Sequence, residues 1–467
     1  MTTTSKSKRS FFNRIPHAIS MLFGIIVFVT LLTYILPAGM YERIQINGRS
    51  AVVPNSYKVI TSTPIGLLDM FKAIPLGFKA AVEIIFIVLA GGIMFGFMDK
   101  TKAVENGVGT LVKKLGQKNK VLIIIIMTFI YGLLGVAIGY ENNIAMVPIA
   151  AVLSLALGGD LILAAGISVG AMTIGFGLSP INAYTVGTGH KLAELPMFSG
   201  ALLRSVLCFV ALSIMAFYNV RYFKKITLNP DKSLGKGLDL SELSLSKPIS
   251  EYRLSINNML VIAIFGIGLM VILYGVFNLN WYINELSAVF LMIALLCGLV
   301  SKMSATKMSE TVLKSVSIAA PGAFMVGFAT SIKVLMEMGN IGDTISYELS
   351  NILQGLPLHI AAICMTISQS VINFFIPSGS GQALATLPVM LPLGESLGLT
   401  KQITILAFQM GDGLSNLINP TLGGLIAMLS MCRVPIDRWI RFIFPVLIIL
   451  IGIAFLTLII AVATNYS

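Results

Sequence analysis

Charge is what this 467-residue chain has least of: Asp, Glu, Lys and Arg make up 11% of it, against 56% hydrophobic residues. At a mean hydropathy of +0.90 it cannot present a polar surface to water all round, so a soluble fold is excluded and the lipid bilayer is its solvent. Cysteine is scarce as well. Cys208, Cys297, Cys364 and Cys432 stand far apart, without C-x-x-C spacing or a His cluster, so neither a disulfide framework nor a Cys/His metal site is indicated and packing roles remain. Of the three histidines, His17 and His359 lie at span margins and His190 reads as an interfacial loop residue. The H-E-x-x-H and G-x-x-x-x-G-K-[ST] patterns are missing, which removes the zinc peptidases and P-loop ATPases. With no nucleophile–base pair in sight, an enzyme is not the reading.

What the chain does have is a series of apolar runs, each long enough to cross about 30 Å of hydrocarbon with roughly 20 residues. They lack the alternation of a barrel, so the expected fold class is an all-α polytopic membrane protein. The first run, residues 15–36, follows a basic leader with Lys6, Lys8, Arg9 and Arg14 and reads as a retained span. The net charge of +12 does not point to nucleic acid, because the basic residues sit in short loops between spans. Those loops set an orientation. Lys and Arg crowd the leader, residues 99–120, residues 221–253, the loop with Lys302 and Lys307, and the turn with Arg433, Arg438 and Arg441. These mark the cytoplasmic side, whereas residues 41–63, 278–284 and 339–357 carry few basic residues or none. The expectation is a multi-pass protein of a bacterial inner membrane, with its amino terminus inside and its carboxyl terminus outside.

Four regions follow: a cytoplasmic leader (1–14), a first transmembrane repeat (15–223), a cytoplasmic linker (224–253), and a second repeat with one extra linking span (254–467). The repeats rest on three matches in the same order. FGFMDKTKAVENG pairs with KVLMEMGNIGDTI, setting Asp99 opposite Glu337 and Glu105 opposite Asp343. GYENNIAMVPIAAV pairs with GSGQALATLPVMLP, setting Pro148 opposite Pro388. GFGLSPINAYT (175–185) pairs with GDGLSNLINPT (411–421). Because the loop charges run the matched spans in opposite directions, the repeats are read as inverted.

Each second motif lies between two apolar arms joined by small or polar residues, which suggests a re-entrant helical hairpin; an ordinary pair of spans with a wet turn is the alternative. Each third motif looks like a helix broken in mid-membrane, freeing N–H groups for a carboxylate and carbonyls for a hard cation. Lys79 with Glu83, and Lys333 with Glu337, stand at i, i+4 and read as structural ion pairs at span ends. Glu141 and Asp412 are carboxylates inside apolar stretches, costing about 3 kcal/mol unless hydrated, paired or protonated. The candidate substrate and ion site is therefore Glu141, Asn142, Asn143, Ser179, Asn182 and Thr185 from one half. From the other it takes Ser378, Ser380, Gln382, Asp412, Ser415, Asn416, Asn419 and Thr421. Ser179, Asn182, Ser415 and Asn419 are candidate Na+ ligands, H+ is the other coupling ion considered, and no cofactor is expected.

The stretches NFFIPSGSGQALATLP (373–388) and FQMGDGLSNLINPT (408–421), with VPIDRW, LPAGMYER and VVPNSY, resemble the YfcC-like membrane proteins of the DcuC group. That group comprises relatives of C4-dicarboxylate carriers and arginine/ornithine antiporters within the ion transporter superfamily. The resemblance covers nearly the whole chain. It implies an elevator-type carrier, two opposed hairpins and two unwound helices around one site, and a homodimer. At the first tip the chain departs from the pattern, with Asn142 where a second acidic residue is expected. The reading is a secondary active transporter, symporter or antiporter, of small carboxylate-bearing metabolites: amino acids first, with exchange of basic ones in view. Dicarboxylates come second, and a channel or intramembrane receptor is the reading of another class.

Overall fold

A long apolar segment in lipid must satisfy its backbone within itself, and the helix does so residue by residue. The computed structural model describes residues 18–467 except 47–48, 116–118, 139–140, 242, 244–245, 248, 280, 282 and 354, and is overwhelmingly helical. The basic leader lies outside the described residues. The first half runs α1 (Ala18–Ile35), α2 (Leu67–Ala80), α3 (Val82–Lys100), α4 (Ala103–Leu115), α5 (Lys120–Ile138), α6 (Val147–Leu157), α7 (Leu161–Ala165), α8 (Ala171–Gly177), α9 (Thr188–Leu192) and α10 (Ala201–Leu228). The second runs α11 (Ile256–Asn278), α12 (Ile283–Val300), α13 (Ala305–Gly339), α14 (Gly342–Ile352), α15 (Leu358–Phe375), α16 (Gly379–Leu397), α17 (Lys401–Ser415), α18 (Gly423–Met431) and α19 (Ile436–Ala463). Among the described residues seven helices, α3, α5, α10, α12, α13, α15 and α19, are long and apolar enough to cross a membrane.

The order of elements recurs. A long helix and a short amphipathic one (α3–α4, α13–α14) are followed by two helices joined by a short polar turn (α5–α6, α15–α16), then by an interrupted helix, then by a 28-residue helix (α10, α19). Packing follows the same plan: α5 lies along α8 as α15 lies along α17, while α3 packs on its counterpart α13, and α8 on its counterpart α17. The last crossing is made by two glycines at matching places in the motifs. A Cβ at Gly177 would fall 2.6 Å from the Gly413 Cα, and a Cβ at Gly413 would run into the backbone of Gly177. Only hydrogens fit between these chains.

Matching also extends to two acids in the first turns of the short helices. Asp343 at the start of α14 accepts from Arg43 Nη2 at 2.7 and 2.9 Å and from the Tyr41 N–H at 3.0 Å. It thereby pins the segment before α2, where β1 (Gly39–Met40) pairs with β4 (Lys58–Val59) and β2 (Arg43–Ile46) with β3 (Arg49–Val52). Tyr57 from this small β region stacks on Tyr347 of α14, ring centroids 4.1 Å apart. Glu105 at the start of α4 does the same for the linker, accepting from the Ser246 N–H (2.7 Å), the Ser246 hydroxyl (2.6 Å) and the Tyr252 hydroxyl, with Lys102 Nζ 3.1 Å away. Upstream, the linker closes on Asp160, which takes the Tyr222 hydroxyl at 2.7 Å and the Gly235 N–H at 3.3 Å. There it also meets the second half, where Arg438 donates to the carbonyls of Leu234 (3.0 Å) and Lys236 (2.6 Å), and Arg433 to Asp239 (3.2 Å).

Some local expectations change. α2, with Pro75 inside it, ends at Ala80, so Lys79 and Glu83 fall on different helices and Glu83 instead accepts from Asn284 at 2.9 Å. Lys333 and Glu337 do approach, at 3.6 Å. His190 is buried within α9 and is not an interfacial loop residue, because its two ring nitrogens are both used: Nδ1 accepts the Phe198 N–H at 2.9 Å and Nε2 meets Gln402 at 3.3 Å.

Two outcomes follow from these contacts. Gly413→Ala should lower the melting temperature of the purified protein, since overpacking of a close-packed contact costs about 1–3 kcal/mol, whereas Gly452→Ala, which meets nothing within 4 Å, should not. For Glu105, burial acts to raise the pKa, but the hydrogen bonds from Ser246, Tyr252 and Lys102 outweigh it and hold the carboxyl at about 2. A depressed acid stabilises the folded clamp above its unfolded-state value and loses that contribution only as pH falls towards the folded value. Limited proteolysis of the linker should therefore be as slow at pH 5.5 as at pH 7 in the wild type, and fast at both in Glu105→Gln.

Candidate functional site

The interrupted helices need partners for the backbone groups that their breaks release. In the second half α17 stops at Ser415 and α18 begins at Gly423. Asn373, near the end of α15, spans the gap: its Nδ2 donates to the Asp412 carbonyl (3.0 Å), Ser415 Oγ (2.7 Å) and Asn416 Oδ1 (2.7 Å). Asn419 answers by donating to the Asn373 carbonyl at 2.9 Å, while its own oxygen takes the Thr421 N–H (3.0 Å) and hydroxyl (2.7 Å). In the first half Asn182 plays the capping part, accepting from the N–H groups of Tyr184 (2.8 Å) and Thr185 (3.2 Å) and donating to the Phe176 carbonyl at 3.0 Å. Ser179 donates to the Val136 carbonyl at 3.2 Å and accepts the Ile181 N–H at the same distance.

The oxygens of Ser179, Asn182, Ser415 and Asn419 are thus already engaged by the protein. Other oxygens are not. Asp412 has no accessible surface and neither of its carboxylate oxygens meets a hydrogen-bond partner. Thr185 Oγ1, Asn373 Oδ1 and Gln382 Oε1 are likewise buried without a partner, as is one donor, Gln369 Nε2. Thr185 and Asp412 meet at the start of α16: a Cβ at Gly379 would sit 2.7 Å from the Thr185 methyl and 3.5 Å from Asp412 Oδ2. Gln382, one turn on, donates to the carbonyl and the side-chain oxygen of Gln369, each at 2.8 Å, and Thr386 donates to the same side chain at 3.1 Å. Thr185 comes from the first half and the rest from the second.

Of the expected residues, then, Thr185 and Asp412 meet at the start of α16, with Gln382 buried one turn further along that helix. Asn416, Asn419 and Thr421 are buried and hold the break, with Ser415 half-buried beside them. Ser378 caps α16 by accepting the Gly381 N–H at 3.3 Å, and Ser380 is half-buried beside it. At the first tip residues 141–146 form a short 3-10 helix, in which buried Asn143 donates to the Leu134 carbonyl at 3.2 Å. The side chains of Glu141 and Asn142 lie outside the described residues. The residues that motif reading passed over are Gln369 and Asn373. Both are polar positions on α15 spaced i, i+4, a spacing that puts them on one face of an otherwise apolar helix and could have drawn notice.

One cavity reaches the start of α16 without opening onto Asp412, and a second lies apart, beside the linker. The first, of about 430 Å³, is lined by Arg43, Lys333, Glu337 and Asp343 and reaches Ile376 and Gly381 at the start of α16. The second, of about 880 Å³, lies between α13 and α18–α19, with Lys314 and Arg433 in its wall. The carboxylate is closed off from both.

The profile of the DcuC family, C4-dicarboxylate anaerobic carrier, matches residues 15–463. The chain is similar to "Putative basic amino acid antiporter YfcC" of Escherichia coli strain K12, 28% identical over 94% of this chain and 95% of that protein. It is also similar to an uncharacterized protein of Haemophilus influenzae, 25% identical over 96% of this chain and 97% of that one. Among solved structures, the Alcanivorax borkumensis YdaH transporter aligns with a TM-score of 0.46 at 14% identity, covering 97% of this chain and 99% of that chain. Neisseria gonorrhoeae MtrF, from a class of antimetabolite efflux pumps, aligns at 0.45 and 16%, covering 96% and 95%.

Proposed function

This chain belongs to the DcuC family of carriers, and from that premise we propose that it is a secondary active transporter that moves amino acids, exchanging basic ones across the bacterial inner membrane. It is a multi-pass membrane transporter and not an enzyme. The observation that carries the substrate class is the set of unpartnered buried atoms: the acceptor oxygens of Asp412 (both), Asn373 (Oδ1) and Gln382 (Oε1), against the donor Gln369 Nε2 and the Thr185 hydroxyl, which can donate or accept. A buried carboxylate without a partner costs several kcal/mol. A primary ammonium group offers three donors and a positive charge, and Na+ asks for several hard oxygens, so either fills what is missing. A dicarboxylate does not by itself, and would need Na+ or H+ on Asp412 as its coupling cation.

The coupling cation, Na+ or H+, or the substrate ammonium belongs in this reading on Asp412, with Thr185 from the other half. The substrate carboxylate falls to N–H groups at the polar tips and breaks. Glu141, Asn142, Asn143, Ser378 and Ser380 stay in the proposed pocket as tip residues. The printed name of the Escherichia coli relative agrees with basic amino acids. The family's own description favours a second reading, C4-dicarboxylate transport.

We read the halves, 15–223 and 254–467 about the linker 224–253, as inverted repeats, each with a re-entrant hairpin (α5–α6, α15–α16). The approach of Gly177 to Gly413 supports this, because two copies related by a two-fold axis meet at matching residues. Alternating access of an elevator kind, a homodimer, and termini placed inside (amino) and outside (carboxyl) complete the proposal.

Counterflow in proteoliposomes loaded in turn with arginine, ornithine, succinate and malate, with and without Na+, tests it. The expected result is saturable, trans-stimulated uptake of arginine or ornithine, reduced at least tenfold in Asp412→Asn. Exchange confined to succinate and malate would move the assignment to the second reading, and flux without saturation would point to a pore.

A further inference from the structure

Arg204 stands in the first turn of α10 with no accessible surface, although an arginine loses much of its hydration energy in such a place. Its hydrogen bonds all go to uncharged groups. Nε donates to Gln409 Oε1 at 2.9 Å, Nη2 to Gln402 Oε1 at 3.0 Å, and Nη1 to the Ser199 carbonyl at 2.9 Å and the Tyr466 hydroxyl at 3.2 Å. Gln402 and Gln409 are seven residues apart on α17, close to two helical turns, so one planar fork grips that helix at two levels. The grip does not end there. Gln409 turns its amide nitrogen to the Ser179 carbonyl at 2.8 Å, in the break of the other half.

That carbonyl is a point of weakness. The next residue is Pro180, so the 179–180 peptide has no N–H and can be oriented through its oxygen alone. Beyond it the chain passes through the Asn182 cap to Thr185, whose hydroxyl is buried without a partner and whose methyl lies against Gly379, where Asp412 also approaches. Asp412, in turn, is three residues on from Gln409 along α17. The guanidinium is therefore tied to both parts of the site, to one through the helix it grips and to the other through the amide it orients.

We propose that Arg204 is a positioning residue for solute binding: acting through Gln409, it fixes the 178–182 break, and with it Thr185, against Asp412. The inference rests on reading that break as part of the solute pocket. Lysine could not replace it, since a single ammonium group cannot address both levels of α17 and the Ser199 carbonyl from one plane.

The full chain in nanodiscs, with Arg204→Gln, Gln409→Glu and Tyr466→Phe, tests the relay. Gln409→Glu is the informative variant: it keeps an acceptor for Arg204, making an ion pair, but removes the N–H that holds Ser179. Its melting temperature should equal or exceed that of the wild type. Deuterium uptake in peptides covering 178–187 should nonetheless quicken at least tenfold in Gln409→Glu and Arg204→Gln, and stay unchanged in Tyr466→Phe. In counterflow with L-arginine, KM should rise about tenfold in Gln409→Glu with Vmax within twofold of wild type. An added negative charge would by itself draw the cation more tightly, so the direction separates the two effects. Unaltered exchange at 178–187 in the two relay variants would overturn the proposal. Faster exchange there in a protein that moves no arginine, even as wild type, would uphold the relay and reject the amino acid reading instead.

Discussion

Two glycines at matching places in the two halves, Gly177 and Gly413, lie backbone against backbone, and the arrangement of everything else follows from how closely those chains approach. With side chains absent at the crossing, α8 and α17 can be interrupted within a few residues of each other, so the breaks face a common interior and not opposite walls of the bundle. Polar backbone that would be intolerable against lipid is tolerable there because protein surrounds it. The same crossing brings Thr185 of one half to the start of α16 in the other. A bulkier contact at this point would part Thr185 from the start of α16.

Around that crossing the chain divides its polar groups into two kinds. Asn182, Asn419, Asn373 and Ser415 spend their hydrogen bonds on the backbone groups that the breaks expose, and so behave as joinery. Asp412, Gln382 and Thr185 leave oxygens over, and Asn373, whose Nδ2 braces the break, leaves its Oδ1 over as well. Motif spacing could not separate these classes, since Asn and Ser at a helix break suit capping as well as they suit an ion. Only the partner of each atom decides.

Legibility from sequence followed the same boundary. The helical class, the recurrence of elements, the presence of interruptions within 175–185 and 411–421 and the isolation of Asp412 could be read from hydropathy, glycine and proline positions and one acid in an apolar run. The bracing was not readable. Arg204 appears in sequence as a basic residue near a span end, where snorkelling is the ordinary expectation, yet it turns inward to glutamines some 200 positions away in the chain. Gln369 and Asn373 looked like minor polarity in an apolar helix until Gln382 and Asn419 met them. α2 escaped because Pro75 and its charged ends disguised a helix that breaks from α3 at Ala81. The linker's composition suggested a loose connector, and the side chains that hold it belong to Asp160, Glu105, Arg433 and Arg438, none of them within it.

The manner in which the linker is held bears on how the halves belong together. Its leading part, continuous with the first half, is embraced by Arg433 and Arg438 of the second, while its trailing part, continuous with the second half, is embraced by Glu105 and Lys113 of the first. Each half lends an arm to the other. Peptide continuity across the middle is thus reinforced by side chains that reach the linker from both directions along the chain.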